Sequence, residues 1–312
     1  MVEIYPYEEE KKFKLLIQCL KKYKENCVFW IGAGISKIAG YPLWKELVLE
    51  VINFFEKNED KLSFEKKIEF ESLKDTTKQE EFSEEQSSEE LIGILQELKY
   101  LNEDLYIEGI KQAFKDREKK QNSKIYLKLG KFVTRGIPIA TTNIDKGLEI
   151  ALKIPKSKIS IVSLGNYNLD SMIFYLHGRL DKPKSWILSE GEYGEKYGNS
   201  PEFLDFWKKF LNKYKVIIFL GYSLKEEDIR RKFYNGDNVL FWIERISKED
   251  NRQKKIEDMA NVIKQLKRNK IIIYPIIYKY DNENSVFKLL DKIYQKAFGL
   301  TLQDWEEQSE QD

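Results

Sequence analysis

Short, uninterrupted apolar runs alternate along the chain with longer segments whose apolar residues recur at helical spacing. The apolar runs are rich in β-branched and aromatic residues, as buried strands are. The predicted strands are Val28–Ile31, Ile137–Thr141, Ile159–Leu164, Ile173–Leu176, Val216–Leu220, Val239–Ile243 and Ile271–Ile277. Strands that alternate with helices are typical of an α/β fold, so the pattern predicts a Rossmann-like, doubly wound parallel sheet.

Helices are predicted between and beside these strands, at Glu8–Tyr23, Pro42–Phe55, Leu91–Phe114, Lys146–Leu152, Pro201–Tyr214, Glu226–Tyr234, Asn251–Lys267 and Val286–Phe298. Residues 57–124 interrupt the alternation, because Glu, Lys, Ser, Gln and Asp dominate their first half. We interpret them as a helical insertion after the first βα unit, with a mobile, charged loop at Asp75–Glu90. The prediction is a single domain over residues 1–312 that contains a helical insertion subdomain at 57–124.

Charge and cysteine content exclude several classes of protein. The chain has 53 basic and 52 acidic residues, so its net charge favours neither nucleic acid nor an anionic membrane, and we expect no direct nucleic-acid binding. The apolar runs are too short to span a bilayer, and the acidic N-terminus lacks the apolar centre of a signal peptide. Two cysteines and one histidine cannot complete a four-ligand zinc site without carboxylates. We therefore expect a cytoplasmic protein with reduced thiols, no membrane contact and no metal.

The first predicted strand leads directly into Gly32-Ala33-Gly34-Ile35-Ser36 and then into a helical pattern. A glycine turn at a helix start directs backbone N–H groups and the helix dipole toward one point, where a phosphate can bind. The implied ligand is a nucleotide or dinucleotide. The third glycine of the GxGxxG fingerprint is absent, because Lys37 stands at that position, and the turn alone leaves a purely structural role open.

Three further polar clusters follow predicted strands: Thr141-Thr142-Asn143-Ile144-Asp145, His177-Gly178 and Gly221-Tyr222-Ser223. Ligands in doubly wound sheets collect at the carboxyl ends of the strands. Each cluster also has a structural interpretation. Asn143 or Asp145 can cap the helix that follows, Ser223 can cap the helix near Glu226, and His177 can be an ordinary buried residue.

The lone histidine is nevertheless the natural candidate for a general base, because its ordinary pKa lies nearest neutrality. The glycine-rich segment Gly191–Gly198 carries Tyr193 and Tyr197, which either line a pocket or brace a loop.

The four clusters, in this order, resemble the sirtuin-like family of NAD-consuming proteins. The resemblance extends to Gly40, Pro42 and Trp44 after the first turn, to Tyr175-Leu176 before the histidine, and to Trp186-Ile187-Leu188-Ser189. It runs from about Val28 to Phe233, with gaps at the charged insertion. It implies a single sirtuin-like NAD-binding domain.

The resemblance also implies a role for each cluster. The catalytic residues would be Asn143, His177 and Asp145, of which Asn143 orients the attacking water and His177 acts on a ribose hydroxyl or on that water. NAD would be bound as the substrate, without a metal, by Gly32, Ala33, Gly34, Ile35, Ser36, Thr142, Gly221 and Ser223.

One departure from the family narrows the expected activity. Sirtuin deacylases carry a zinc module with two cysteine pairs, and this chain has neither pair. The resemblance therefore favours the bacterial anti-phage defence branch that lacks the zinc module. It implies an NAD glycohydrolase that releases ADP-ribose and nicotinamide, as an NAD-depleting effector in abortive infection.

The same branch implies a homo-oligomer that is activated through a second defence-system protein subunit or a signal. An NAD-dependent deacylase or ADP-ribosyltransferase, and a non-catalytic nucleotide-binding sensor subunit, are the alternatives. The sequence leaves open the activating signal, the identity of the partner, the oligomeric state, any acceptor other than water, and whether the insertion gates the pocket.

Overall fold

A computed structural model describes residues 7–79, 88–118, 124–198, 200–224, 227–234, 236–247 and 252–299. Within these residues, seven strands form one sheet in which every neighbouring pair is parallel. The strands are β1 (Cys27–Ile31), β2 (Ile139–Thr141), β3 (Ile159–Ile161), β4 (Ile173–Tyr175), β5 (Val216–Leu220), β6 (Val239–Ser247) and β7 (Ile272–Tyr280). Their spatial order is β3-β4-β2-β1-β5-β6-β7.

The sheet order reverses at its central strand. From β1 the chain builds one half of the sheet through β2, and it later returns to the opposite side of β1 as β5. In register, Ile31 stands opposite both Thr141 and Leu220, so the loops after these three strands begin at the same level. Such a reversal opens a crevice at the carboxyl ends of the two strands that flank it, here β1 and β5.

Thirteen α-helices accompany the strands in the described residues. They are α1 (Tyr7–Lys22), α2 (Ala33–Ile38), α3 (Trp44–Lys57), α4 (Phe64–Gln79), α5 (Ser88–Leu101), α6 (Glu103–Glu118), α7 (Lys124–Thr134), α8 (Gly147–Ala151), α9 (Glu190–Tyr193), α10 (Pro201–Lys213), α11 (Glu227–Lys232), α12 (Arg252–Arg268) and α13 (Glu283–Phe298). No helix among them is both long enough and apolar enough to cross a membrane.

Helices cover both faces of the sheet, which confirms the predicted doubly wound architecture. Alternate residues of β1 show this directly, because Phe29 and Ile31 enter one apolar core while Val28 and Trp30 enter the other. The first core also contains the buried side chains of α1, α3, α7 and α13, and the second those of α10 and α12. Every residue of β1 is buried, as expected for a central parallel strand.

The insertion follows the first βα unit, as predicted, and its helices α4, α5 and α6 join the first core. Phe70, Leu95 and Tyr106 are buried there, beside Val51 and Phe55 of α3. The insertion is thereby placed against the side of the sheet that carries α3.

Several boundaries differ from the prediction. The segment Leu91–Phe114, predicted as helical from its periodicity, is divided between two helices, because the Asn102 side chain accepts the Leu105 N–H at 3.0 Å and starts α6. Strands β6 and β7 continue to Ser247 and Tyr280, beyond the apolar runs that predicted them. The predicted loop Asp75–Glu90 is wrong at both ends, since α4 continues to Gln79 and α5 begins at Ser88, while residues 80–87 lie outside the described residues.

Candidate active site

The first and last predicted clusters meet through backbone contacts at the crevice. The Gly32 N–H donates to the Leu220 carbonyl at 3.2 Å, and the Gly34 N–H donates to the Gly221 carbonyl at 3.0 Å. A Cβ on Gly32 would lie 2.6 Å from the Gly221 oxygen, and Gly221 itself has a φ of +62°. Glycine is therefore required on both sides, for close approach at Gly32 and for the left-handed backbone at Gly221.

These contacts correct one expectation about the glycine turn. Gly32, Gly34 and Ile35 all donate their N–H groups within the protein, the last of them to the Gly32 carbonyl at 3.0 Å. In addition, α2 is only six residues long. The turn consequently offers fewer free N–H donors to a phosphate than the sequence suggested, and its main effect is to hold two loops together at the crevice.

Asp145 is a buried carboxylate with three hydrogen-bond donors. Ser36 Oγ donates to Oδ2 at 2.5 Å, while Tyr126 Oη and the Gly147 N–H donate to Oδ1 at 2.9 and 3.0 Å. Burial raises the pKa of Asp145, and the bonds from Ser36 and Tyr126 oppose that rise. Asp145 accepts the first N–H of α8, although the N-cap residue of that helix is Lys146 and not Asp145. The Ser36 bond joins the first turn to the second.

Asn143 is anchored by its amide group. Nδ2 donates to the Gly32 carbonyl at 2.9 Å, and the Asn143 N–H donates to Thr141 Oγ1 at 3.0 Å. The side-chain carbonyl Oδ1 is then the atom that can accept a hydrogen bond from a water molecule or a ribose hydroxyl.

His177 is completely buried. Its Nε2 lies 2.7 Å from Tyr197 Oη, and its Nδ1 lies 3.4 Å from Tyr193 Oη. Burial lowers the pKa of His177 from 6.5 to about 3, so the imidazole is neutral at physiological pH. A neutral imidazole offers one donor and one acceptor, which suits it to orient a hydroxyl group.

The four clusters line one cavity of about 260 Å³. The polar lining comes from Ser36, Thr142, Asn143, Asp145, His177 and Ser223. Trp44 of α3, Phe114 of α6 and Leu188 add apolar walls. The insertion thus contributes directly to the cavity, through Phe114.

A second cavity, of about 150 Å³, adjoins the first across the glycine turns. Both cavities are lined by Gly34, Gly221, Tyr222 and Ser223. Ile35 lines the second cavity together with Glu244 and Arg245 of β6. Of the predicted binding residues, Gly32 lines neither cavity, because it lies behind the contact between the two turns.

Glu244 is the main charged acceptor of the second cavity. Burial raises its pKa, and Lys255, whose Nζ lies 3.1 Å from the carboxylate, opposes that rise. The Arg245 guanidinium lies 4.5 Å from the centre of the Tyr280 ring. Glu244 and Arg245 were not identified as candidate site residues from the sequence. Two charged residues directly after an apolar strand are nevertheless a recognisable signal of a site at a strand end.

Tyr126 was also missed as part of the site. It lies within the apolar periodic run of α7, where a tyrosine is indistinguishable from an ordinary core residue. Among the described residues, no group of three or more His, Cys, Asp or Glu side chains is arranged to hold a metal ion.

Comparison with known proteins supports the resemblance seen in the motifs. A family model described as a SIR2-like domain matches residues 138–256, the part that contains β2 to β6 and the turns at Asn143, His177 and Ser223. Defense-associated sirtuin 2 of Bacillus subtilis is 24% identical over 243 residues, which cover 74% of this chain and 21% of that protein. The matched region is therefore about a fifth of the length of the relative. Both matches are to sirtuin-like proteins, one over residues 138–256 and the other at 24% identity.

Proposed function

Because this chain is similar to sirtuin-like proteins, we propose that it is an NAD glycohydrolase that cleaves NAD to ADP-ribose and nicotinamide. The observation that carries the proposal is the single cavity in which Asn143, Asp145 and His177 meet beside the glycine crevice. NAD is the substrate, and the reaction uses no metal.

The two adjoining cavities suit the two halves of a dinucleotide. The larger one, with Asn143 and His177, would receive the nicotinamide ribose. The smaller one would receive the adenosine half, where the Glu244 carboxylate can accept hydrogen bonds from ribose hydroxyls. The diphosphate would then cross the shared wall at Gly34 and Ser223.

The chemistry needs orientation more than strong acid or base. The bond from C1′ to the pyridinium nitrogen breaks with its electron pair moving to nitrogen, so nicotinamide leaves as a neutral molecule. Water attacks the resulting oxocarbenium-like C1′ and loses a proton to the imidazole and then to solvent. Asn143 Oδ1 would orient that water, and neutral His177 would accept a hydrogen bond from it or from a ribose hydroxyl.

Asp145 would act by position rather than by direct attack. Its two oxygens already accept hydrogen bonds from Ser36, Tyr126 and Gly147, and it is a buried part of the cavity wall. A carboxylate held there stabilises positive charge on the ribose as the transition state forms. The apolar walls at Trp44 and Phe114 limit access of bulk water to that charge.

We also propose a biological role for the reaction, as NAD depletion in bacterial anti-phage defence. The name of the Bacillus subtilis relative, a defence-associated sirtuin, supports this role. The chain would act in the cytoplasm as a homo-oligomer and be activated through a second defence protein or a signal.

The proposal is tested by incubating the purified chain with NAD and quantifying nicotinamide and ADP-ribose by chromatography, with and without the products of neighbouring genes. We expect equal amounts of both products without an added acceptor. Replacement of Asn143 or His177 by alanine should reduce turnover by about 100-fold or more, as for loss of an orienting or acid–base group.

Asn238→Ala is the matched control, because Asn238 is buried and donates to the Leu211 and Tyr214 carbonyls, away from the cavity. It should retain turnover. Release of nicotinamide only with an acyl-lysine peptide or a protein acceptor would instead favour a deacylase or ADP-ribosyltransferase. NAD binding without any product would favour a sensor subunit.

A further inference from the structure

We propose that Tyr197 is a positioning residue for His177, an inference that rests on the proposed glycohydrolase function. Its hydroxyl holds Nε2 of the imidazole and thereby sets both the orientation of the ring and the nitrogen that carries the proton. The Nδ1 side of the ring is left to exchange its partner for the substrate hydroxyl or the attacking water.

The two tyrosine contacts with the imidazole are unequal. Tyr197 Oη lies 2.7 Å from Nε2, which is the length of a strong hydrogen bond, whereas Tyr193 Oη lies 3.4 Å from Nδ1. Nδ1 is therefore the nitrogen whose contact is exchanged at less cost. For Nδ1 to accept a hydrogen bond, Nε2 must carry the proton of the neutral ring and donate it to Tyr197.

Aromatic packing fixes the imidazole as well. The rings of Tyr193 and Tyr197 are stacked, with centroids 5.6 Å apart and planes 15° from parallel. Both stand nearly perpendicular to the His177 ring, at 81° and 88°. Rotation of the imidazole would break these edge contacts together with the bond to Tyr197.

Tyr197 is itself held in place from the opposite side. Its ring meets Phe203 edge-on at 4.9 Å, and the Lys232 ammonium lies 5.5 Å from the ring centre. Lys232 Nζ also donates to the Tyr197 backbone carbonyl at 3.3 Å. A phenylalanine would fill the same space, and the hydroxyl adds the bond to the imidazole.

The insertion holds the other end of the segment that carries both tyrosines. The Gly191 N–H donates to Gln96 Oε1 at 3.1 Å, and Lys99 Nζ lies 2.7 Å from the Glu192 carboxylate. The second Glu192 oxygen accepts the N–H groups of Leu188 and Ser189, at 2.7 and 3.0 Å. Helix α5 thus sets the start of α9, and through it the position of Tyr193 and Tyr197.

The test compares three Tyr→Phe variants by steady-state kinetics and by ¹⁵N NMR of histidine-labelled protein. Because the chain has a single histidine, the imidazole nitrogens give one assignable pair of signals. Tyr214→Phe is the matched control, since Tyr214 is buried in the same aromatic cluster but donates to the Leu169 carbonyl at 2.8 Å.

For Tyr197→Phe we expect kcat to fall about 10-fold with KM within about 2-fold, since the lost bond acts on orientation and not on substrate binding. Both imidazole ¹⁵N shifts should move toward each other, because the buried Nε2–H loses its acceptor and the two tautomers become more equal. Tyr193→Phe should change both readouts less. Tyr214→Phe should change neither.

Unchanged ¹⁵N shifts in Tyr197→Phe, or a kcat equal to that of the wild type in an active enzyme, would overturn the inference. The NMR readout keeps it distinct from the proposed function. If the chain never hydrolyses NAD, the glycohydrolase proposal is wrong. The imidazole ¹⁵N signals would still show whether the Tyr197 hydroxyl determines which nitrogen of His177 carries the proton.

Discussion

At the scale of single residues, the neutrality of His177 has a measurable consequence for stability. The pKa of this residue is about 3 in the folded protein and 6.5 as its ordinary value. Below pH 6.5 the unfolded chain takes up a proton that the folded chain does not. The free energy of unfolding should therefore fall by about 1.4 kcal/mol per pH unit from this group, between pH 6.5 and about 3.

Urea unfolding at about pH 7.5 and about pH 5 measures this loss. The His177→Gln variant lacks the imidazole. Between these two pH values its free energy of unfolding should therefore fall by about 2 kcal/mol less than that of the wild type. Asp145, whose raised pKa acts with the opposite sign, is present in both proteins and cancels in the comparison. Equal losses in the two proteins would contradict burial of a neutral histidine.

At this scale, the sequence indicates which residues lie together where their neighbours mark the end of a strand. His177, Asn143 and Ser223 each follow an apolar strand, and strand ends converge in a parallel sheet. Tyr126 has no such local signal, because its contact with Asp145 joins residues 19 positions apart and depends on how α7 packs.

At the scale of elements, the contact between the two glycine turns determines the shape of the crevice. Gly32→Ala would place a methyl group 2.6 Å from the Gly221 carbonyl and 2.8 Å from Tyr222 Cα. Backbone atoms cannot yield as a flexible side chain does. We expect a loss of about 1–3 kcal/mol in the free energy of unfolding, typical of overpacking, and weaker NAD binding.

Gly93→Ala is the matched control for this substitution. Gly93 lies inside α5, where an added Cβ meets nothing within 4 Å. Alanine at this position should stabilise the helix by about 0.5–1 kcal/mol. The same substitution should therefore raise the free energy of unfolding at Gly93 and lower it at Gly32. Thermal unfolding and NAD titration of both variants check the prediction. A stable, normally binding Gly32→Ala protein would show that the turns are not in close contact.

The contact between α5 of the insertion and α9 leads to a second prediction at the scale of elements. Replacing Gln96 and Lys99 together by alanine removes the hydrogen bond to Gly191 and the ion pair with Glu192. Because that segment holds both tyrosines against His177, kcat should fall about 3- to 10-fold while the protein remains folded, as expected for losing one or two modest bonds. Replacing Lys209, which pairs with Asp205 on the exposed face of α10, is the control and should leave kcat unchanged. An unaffected double variant would indicate that the insertion does not position the tyrosines.

Element boundaries show why sequence patterns identify strands better than their ends. The buried strand β5 coincides with its apolar run, Val216–Leu220, because both of its faces are covered. Strands β6 and β7 extend past their apolar runs because they stay paired near the sheet edge, where polar side chains are tolerated. Glu244 of β6 stands opposite Ile277, and Lys279 of β7 stands opposite Ile246. The break at Asn102 depends on one capping hydrogen bond, which periodicity alone does not reveal.

At the scale of the whole molecule, the topology explains why four distant clusters share one cavity. The chain leaves β1 on one side and returns to it as β5, so the turns after β1, β2, β4 and β5 open toward the same crevice. The insertion adds Phe114 to the cavity wall and holds the tyrosines beside His177. A partner that binds the insertion would thus act on the site through contacts already present in the fold.

The central claim is that water attacks C1′ of the nicotinamide ribose within this cavity. Mass spectrometry of the products formed in ¹⁸O-labelled water tests it most directly. Each ADP-ribose should carry one labelled oxygen and appear together with one nicotinamide. Nicotinamide released without labelled ADP-ribose, or NAD left intact under every activating condition, would contradict it.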